Sequence, residues 1–161
     1  MKIIVTGGAG FIGANFVHTL LEDHTDTDIV VLDKFTYAGN RGSLTDITDD
    51  LAERLTIVEG DIVDADLVDS LVKDSDAVVH FAALSQVAES MQYPGIYYRN
   101  NVVGTLNLLD AMREPDIDKI VFSSTAATYG EPKYTPIDER HPQHPINPYG
   151  RSKLMVERIM D

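Results

Sequence analysis

The 161-residue sequence contains no cysteine. Disulfides, thiolate chemistry and cysteine–zinc sites are excluded together. Basic residues are few. Thirteen Lys and Arg stand against 26 Asp and Glu, a net charge of −13, so the chain carries no electrostatic footprint for nucleic acid. Aspartate outnumbers glutamate. That would suit a high-salt cytoplasm, but an ordinary soluble acidic protein accounts for it and is preferred. No apolar run is long enough for a membrane span, and a strand-like run begins at Lys2 with no basic leader before it. A cytoplasmic protein without membrane contact is expected. Repeats and low-complexity segments are missing, and an apolar fraction of 43% is ordinary, which argues against disorder. The length fits one domain with a proper core.

What is present begins at the N-terminus. Lys2-Ile3-Ile4-Val5-Thr6 is a β-branched run that predicts a buried strand. Thr6-Gly7-Gly8-Ala9-Gly10-Phe11-Ile12-Gly13 follows at once, and Ile12, Phe16 and Leu20 then recur at helical spacing beside Val17 and Leu21. Strand, glycine turn and helix together predict a phosphate-binding element. Gly7 and Gly8 permit a tight turn, Gly10 lets a pyrophosphate approach the backbone, and Gly13 permits close packing of helix on strand. The helix start adds unpaired N–H groups and a partial positive charge. Alone, such glycines mark a tight turn in any α/β protein. Here a second strand, Ile29-Val30-Val31-Leu32, ends in Asp33, 20 residues after Gly13. An acid at that point accepts the ribose hydroxyls of an adenine dinucleotide and repels a 2′-phosphate, so NAD is expected over NADP.

Further along, residues 34–40 form a loop placed for the adenosine half. Residues 43–54 are expected as a short polar helix capped by Ser43 or Thr45. Leu55-Thr56-Ile57-Val58-Glu59 is strand three. Asp61 after it is placed to accept from an adenine amino group, or else Asp61 or Asp64 caps the helix expected at 65–73. Ala77-Val78-Val79-His80 is strand four, and the small residues of Phe81-Ala82-Ala83 let the backbone pass close to a ligand. Residues 85–90 are expected as a loop, followed by a long helix from Pro94 over 95–113. Asn100 and Asn101 lie inside it, either tying the helix to the strand-four loop or marking a cap or kink. Lys119-Ile120-Val121-Phe122-Ser123 is strand five. The alternation predicts an α/β fold, a doubly wound parallel sheet with right-handed crossovers and strand order 3-2-1-4-5. Five of the seven prolines fall between Pro132 and Pro148, an extended loop. His141 and His144 within it lack further ligands nearby, so no metal site is expected.

The chemistry gathers at Ser123-Ser124-Thr125, the carboxyl end of strand five, and at Tyr149 and Lys153 on the last helix. Their four-residue spacing places Tyr149 and Lys153 on one helix face. An ammonium and a nicotinamide cation nearby would favour the tyrosine phenolate and make it a usable base. The Thr125 hydroxyl can hydrogen-bond the same alcohol oxygen and place it for hydride transfer.

In these residues the chain resembles the extended short-chain dehydrogenase/reductase family, specifically its nucleotide-sugar epimerases and dehydratases. The motif pair is Thr-Gly-x-x-Gly-x-x-Gly and Tyr-x-x-x-Lys, and the resemblance covers the whole chain. Residues 32–40 resemble the dTDP-glucose 4,6-dehydratases. From His80 on, the segments 80–83, 87–90, 100–105 and 147–157 resemble the UDP-glucose 4-epimerases. The dehydratase pattern has Asp-Glu directly after the strand-five threonine, to eliminate water. Ala126 and Ala127 stand there instead and cannot transfer a proton, so the epimerase is expected.

The resemblance implies NAD that stays bound and a transient oxidation at sugar C4, with Tyr149 as base. Lys153 would hold the nicotinamide ribose and tune Tyr149, and Thr125 with Ser124 would bind the reacting oxygen. The residues expected to hold NAD are Gly7, Gly10, Phe11, Ile12, Gly13, Asp33, Lys34, Asp61, Ile62, Phe81, Ala82, Ala83, Asn101, Ser123, Tyr149 and Lys153. Some epimerases carry a lysine toward the cofactor phosphates where this chain has Ser85. Family members are about twice as long, so residues 1–161 read as the NAD-binding Rossmann domain with the catalytic Thr, Tyr and Lys. The last strands and a C-terminal substrate domain would then be missing. Leu154, Met155, Val156, Ile159 and Met160 wrap most of the last helix, which therefore wants burial on several sides. In the family this helix and the one near 95–113 form a dimer bundle, so a homodimer is expected, with strand five an exposed edge. The substrate would be a UDP-hexose. The alternatives are a dehydratase-like enzyme and a non-catalytic NAD-binding fragment.

Overall fold

A computed structural model describes residues 1–45, 47, 49–114 and 116–161, with Asp49 described by its backbone alone. The chain divides into two compact units, one of residues 1–82 and 106–122, the other of 83–105 and 123–161.

The first unit holds the sheet. Strands β1 (Lys2–Thr6), β2 (Asp28–Asp33), β3 (Leu55–Glu59), β4 (Ala77–His80) and β5 (Ile120–Phe122) are parallel and ordered β3-β2-β1-β4-β5. Ile4 is in register with Val30 on one side and Val78 on the other. Successive side chains of β1 go to opposite faces. Ile3 and Val5 join Val17 and Leu21 of α1 (Phe11–Asp23) and Val31 of β2. Ile4 joins Val68 and Val72 of α3 (Ala65–Val72), Val30 of β2 and Leu108. Burial on both faces explains why β1 and β2 read as continuous apolar runs rather than alternating ones. The outer strands differ. Ile57 of β3 and Val121 of β5 are exposed, Val121 at 63%.

α1 ends without a basic residue in its last turn. Arg54, just before β3, supplies the cation from a distance. Its guanidinium donates to the carbonyls of Leu21 (2.7 Å), His24 (2.7 Å) and Thr27 (3.0 Å). Those carbonyls lie at and beyond the helix end, where a cation is favoured.

Expectations fail in both units. The helix expected over 43–54 is a 3₁₀ turn, Arg41–Leu44, and a single helical turn α2, Asp49–Ala52. Asp46 and Thr48 of that expectation lie outside the described residues. The cap is Asn40, whose Oδ1 accepts the Gly42 N–H at 2.9 Å, while Thr45 sits at the other end of the turn. The loop expected at 85–90 is instead entered by helix α4, Val87–Gln92. Ser90, at the end of that expected loop, lies in the helix, and its hydroxyl donates to the Val87 carbonyl (2.6 Å).

The second unit holds α4, α5 (Pro94–Tyr97), a π-helical segment Tyr98–Val103 and α7 (Pro148–Met160). The long helix expected over 95–113 is thus not one α-helix. It runs as α5, the π segment and α6 (Gly104–Arg113). Pro94 opens it at the first helical position, as proline favours. Asn147 caps α7 by accepting the Gly150 N–H at 2.8 Å, with Pro148 next. Residues 132–147 form no regular element. His141 is buried there between the rings of Tyr129 and Tyr134, and its Nε2 accepts the Lys133 N–H at 2.9 Å. Within α7, Val156 is buried while Met155 and Ile159 are exposed.

Replacing Arg54 by alanine should lower stability by about 1–3 kcal/mol, since three carbonyls lose a charged donor. Urea unfolding of the two proteins measures it, and equal midpoints would show the clamp to be idle.

Candidate functional site

β1 passes into α1 through four residues. Gly7 holds φ of +70°, and a Cβ there would lie 2.6 Å from the Ala82 amide nitrogen. A Cβ on Gly13 would strike the Gly7 carbonyl oxygen and come within 2.7 Å of Gly8 Cα. Both positions must lack a side chain for β1, α1 and the strand-four exit to approach this closely. Gly10 is different, since the nearest atom to its added Cβ is 3.3 Å away. It stands as the α1 cap with no side-chain cap and no acid in the first turn. The helix start therefore keeps N–H groups and a positive end open to an anion. Phe11, 85% exposed, and Ile12 flank that opening.

Asp33 closes β2 and is 8% exposed. Its Oδ2 accepts the Ala9 N–H (2.9 Å) and its Oδ1 the Phe35 N–H (2.8 Å). The second bond holds Phe35 at φ +51°, an uncommon place for a phenylalanine. Each carboxylate oxygen retains capacity for another donor. Lys34 pairs with Asp61 at 2.5 Å. Asp61 also accepts the Val63 N–H, whereas Asp64 is the residue that caps α3, through Leu67 N–H. Of the two candidates for the α3 cap, Asp64 is the one that fills it. Ile62 is committed to the core, and its carbonyl accepts from Asn107 (3.0 Å). Phe81 packs edge-on to Phe16, and the Ala82 N–H reaches the Thr6 hydroxyl at 3.3 Å.

In the second unit, Asn101 is 2% exposed. Its Oδ1 accepts the Leu84 N–H (2.9 Å), and its Nδ2 donates to the Leu84 carbonyl (3.0 Å) and to the Ser152 hydroxyl (3.0 Å). It therefore ties the π segment to the residue after Ala83 and to α7. Of the two alternatives for this asparagine the tie is the one observed, made from within a π segment. Asn100 donates to Asn101 rather than to a backbone.

Lys153 is 3% exposed, and its Nζ donates to the Ser123 carbonyl at 2.8 Å. Burial holds its ammonium down to about 8 from an ordinary 10.5, opposed by the carboxylate of Glu157, which raises it. Thr125 caps the short turn Ala126–Thr128, with Oγ1 accepting the Ala127 N–H at 3.2 Å. A Cβ on Gly150 would lie 2.5 Å from the Ala127 carbonyl oxygen. The residue after Tyr149 is thus pressed on the turn that follows Thr125. Ser124 donates to Glu157. Ser123, Ser124, Lys153 and Glu157 accordingly form one connected cluster, with Thr125 next in the chain and Tyr149 one turn before Lys153. Glu157, and Gln143 whose side-chain amide donates to it, were not anticipated here. The spacing of Glu157, four residues past Lys153, was the available signal.

Residues 4–161 match the GDP-mannose 4,6 dehydratase family. The chain belongs to it. Within this epimerase and dehydratase family, the chain is 48% identical to the UDP-glucose 4-epimerase of Halalkalibacterium halodurans, over 99% of this chain and 45% of that protein. It is 43% identical to the dTDP-glucose 4,6-dehydratase of Mycobacterium tuberculosis, over 99% of this chain and 48% of that one. The solved UDP-glucose 4-epimerase of Bifidobacterium longum in complex with NAD⁺ and UDP superposes with a TM-score of 0.90 at 36% identity. That superposition covers 99% of this chain and 48% of the other. The chain spans about half the length of the curated relatives it matches. Both kinds of enzyme match over the same residues, so overall identity does not choose between them.

Lys153 titrates lower when folded than when unfolded, so the unfolded chain binds the extra proton between the two values. Its burial cost is present in full below about pH 8 and is relieved as pH rises toward 10.5. Wild type should therefore gain up to about 3 kcal/mol over Lys153→Met across that interval. Denaturant unfolding at a series of pH values checks this, and parallel curves would refute it.

Proposed function

We propose that residues 1–161 serve as the NAD-binding and catalytic part of a nucleotide-sugar 4-epimerase, of the UDP-glucose/UDP-galactose type that takes part in galactose metabolism. The observation that carries the epimerase choice is Ala126-Ala127 in the turn capped by Thr125. No acid or base stands there to remove water from a sugar. A dehydratase is favoured instead by residues 32–40, which resemble the dTDP-glucose 4,6-dehydratases. Those residues face the cofactor, whose handling the two reactions share.

The residues present fit NAD. The bare Gly7–Gly13 turn, the uncapped start of α1 and the spare acceptor capacity of Asp33 suit a pyrophosphate and a ribose. Bound NAD supplies a hydride acceptor and later the donor. Tyr149 takes the proton of the sugar 4-hydroxyl and returns it. Thr125, assisted by Ser124, orients that oxygen. Lys153 holds a ribose, one helical turn from Tyr149. Asp61 and Lys34 serve the adenosine end, and Phe81, Ala82, Ala83, Asn101 and Ser123 shape the nicotinamide side.

A homodimer is part of the proposal. Its support is a groove of about 510 Å³ lined by Tyr98, Pro145, Leu154, Met155 and Ile159 and by the stems of Arg151 and Arg158. A cytoplasmic location is consistent with helices none of which, among the described residues, is long and apolar enough to cross a membrane.

Purified protein should release NAD on denaturation, and added UDP-galactose should raise the absorbance of reduced nicotinamide. Tyr149→Phe should keep the NAD and lose at least about 100-fold in reduction rate. Gly13→Val should lose the NAD. A folded protein without NAD would sink the cofactor assignment. A 4-keto-6-deoxy sugar as product would replace the epimerase by the dehydratase.

A further inference from the structure

Tyr149 and Lys153 are not the end of their stripe on α7. Glu157 follows at the same four-residue interval, on the same helix face. Its Oε1 accepts the Ser124 hydroxyl, and its Oε2 accepts the side-chain amide of Gln143 from the proline-rich loop. One turn earlier, Lys153 grips the carbonyl of Ser123. Two adjacent residues of the chain leaving β5 are thus held by two adjacent turns of one helix, the first through backbone and the second through side chain. Thr125 is the next residue, and its own hydroxyl faces the turn it caps. A helix that grips 123 and 124 fixes the starting point from which Thr125 is presented.

We propose that Glu157 is a positioning residue of the reaction, one that fixes the exit segment Ser123–Thr125 to α7 beside Lys153. The proposal rests on the reading of Tyr149, Lys153 and Thr125 as the reacting set.

Position and charge act together here. The segments packed against α7 carry Glu89 on α4, Tyr97 on α5 and Tyr98 and Arg99 in the π segment, and α7 itself carries Tyr149, Arg151 and Arg158. Among the described residues, Glu157 is the charged group whose field opposes the effect of burial at Lys153. Gln143 in turn shares its amide oxygen with Arg158 (3.4 Å), so the carboxylate is braced from both sides. Removing the charge of Glu157 while keeping its shape should loosen Ser124 and let the Lys153 ammonium lose its proton more easily.

The test uses the whole protein loaded with NAD. In Glu157→Gln, the Lys153 midpoint, followed by NMR on isotope-labelled lysine, should fall below its wild-type value. UDP-galactose-driven reduction should lose roughly 10- to 100-fold in kcat with KM unchanged, and its alkaline limb should move to lower pH. Glu157→Asp should recover part of both. Ser124→Ala should lower kcat but leave the Lys153 midpoint in place, and combining it with Glu157→Gln should cost less than the sum of the two. A folded Glu157→Gln protein with wild-type midpoint and wild-type kcat overturns the proposal. If that variant does not fold, a wild-type kcat in Ser124→Ala overturns it. If wild type itself never reduces its NAD, the epimerase reading falls, and Glu157 is then judged by the Lys153 midpoint alone.

Discussion

The first unit depends on how closely three stretches of bare backbone meet at the end of β1. β1 lies in the middle of the sheet with β2 and β4 on either side, and it must turn into α1 within four residues. Gly7 against Ala82 and Gly13 against Gly7 leave no room for a methyl group. Once this contact is set, the rest of the unit is placed. α1 starts directly over the strand end, and its first N–H groups stay uncommitted. The Ala9 amide comes within reach of Asp33 at the end of β2. The same carboxylate then fixes the unusual backbone of Phe35. A steric limit at two glycines becomes an electrostatic arrangement around one aspartate.

The second unit is held by polar contacts of a different kind. Asn101, Lys153 and Glu157 each meet backbone or hydroxyl groups of segments distant in sequence, the Ser152 hydroxyl among them. Such contacts are costly to leave unmade where they are buried, so a few of them specify the arrangement strongly. Lys153 carries the tension most plainly. Burial disfavours its ammonium, and the Ser123 carbonyl and the Glu157 carboxylate offset that cost only in part.

The sheet was legible in the sequence because burial on both faces writes itself as unbroken β-branched runs, as at 3–5 and 29–32. The glycine turn and Asp33 were legible because spacing and residue type encode them together. The misread stretches are those where local chemistry decides. Residues 41–52 have few apolar side chains to set a helical period, and Asn40 captured the nearest N–H group and began a 3₁₀ turn. Ser90 bears the hydroxyl of a turn residue but spends it inside a helix. At the candidate site, Tyr149 and Lys153 stood out by interval. Glu157 at the same interval did not, because its partners Ser124 and Gln143 are 33 and 14 residues away in the chain. Only folding brings them to it.

The π segment from Tyr98 to Val103 also limits chain length. A π turn holds one more residue than an α turn over nearly the same rise. On its near side, the Tyr97 hydroxyl reaches the Gln86 carbonyl and Glu89. Within it, Asn101 reaches Leu84. Deleting one residue would let an ordinary α turn close, and it would rotate Tyr97 against Asn101 by about 100°. The two sets of bonds would then face different ways. A one-residue gap would release one of its two anchors. The number of residues in this stretch is thus fixed as firmly as the identity of its buried Tyr97 and Asn101.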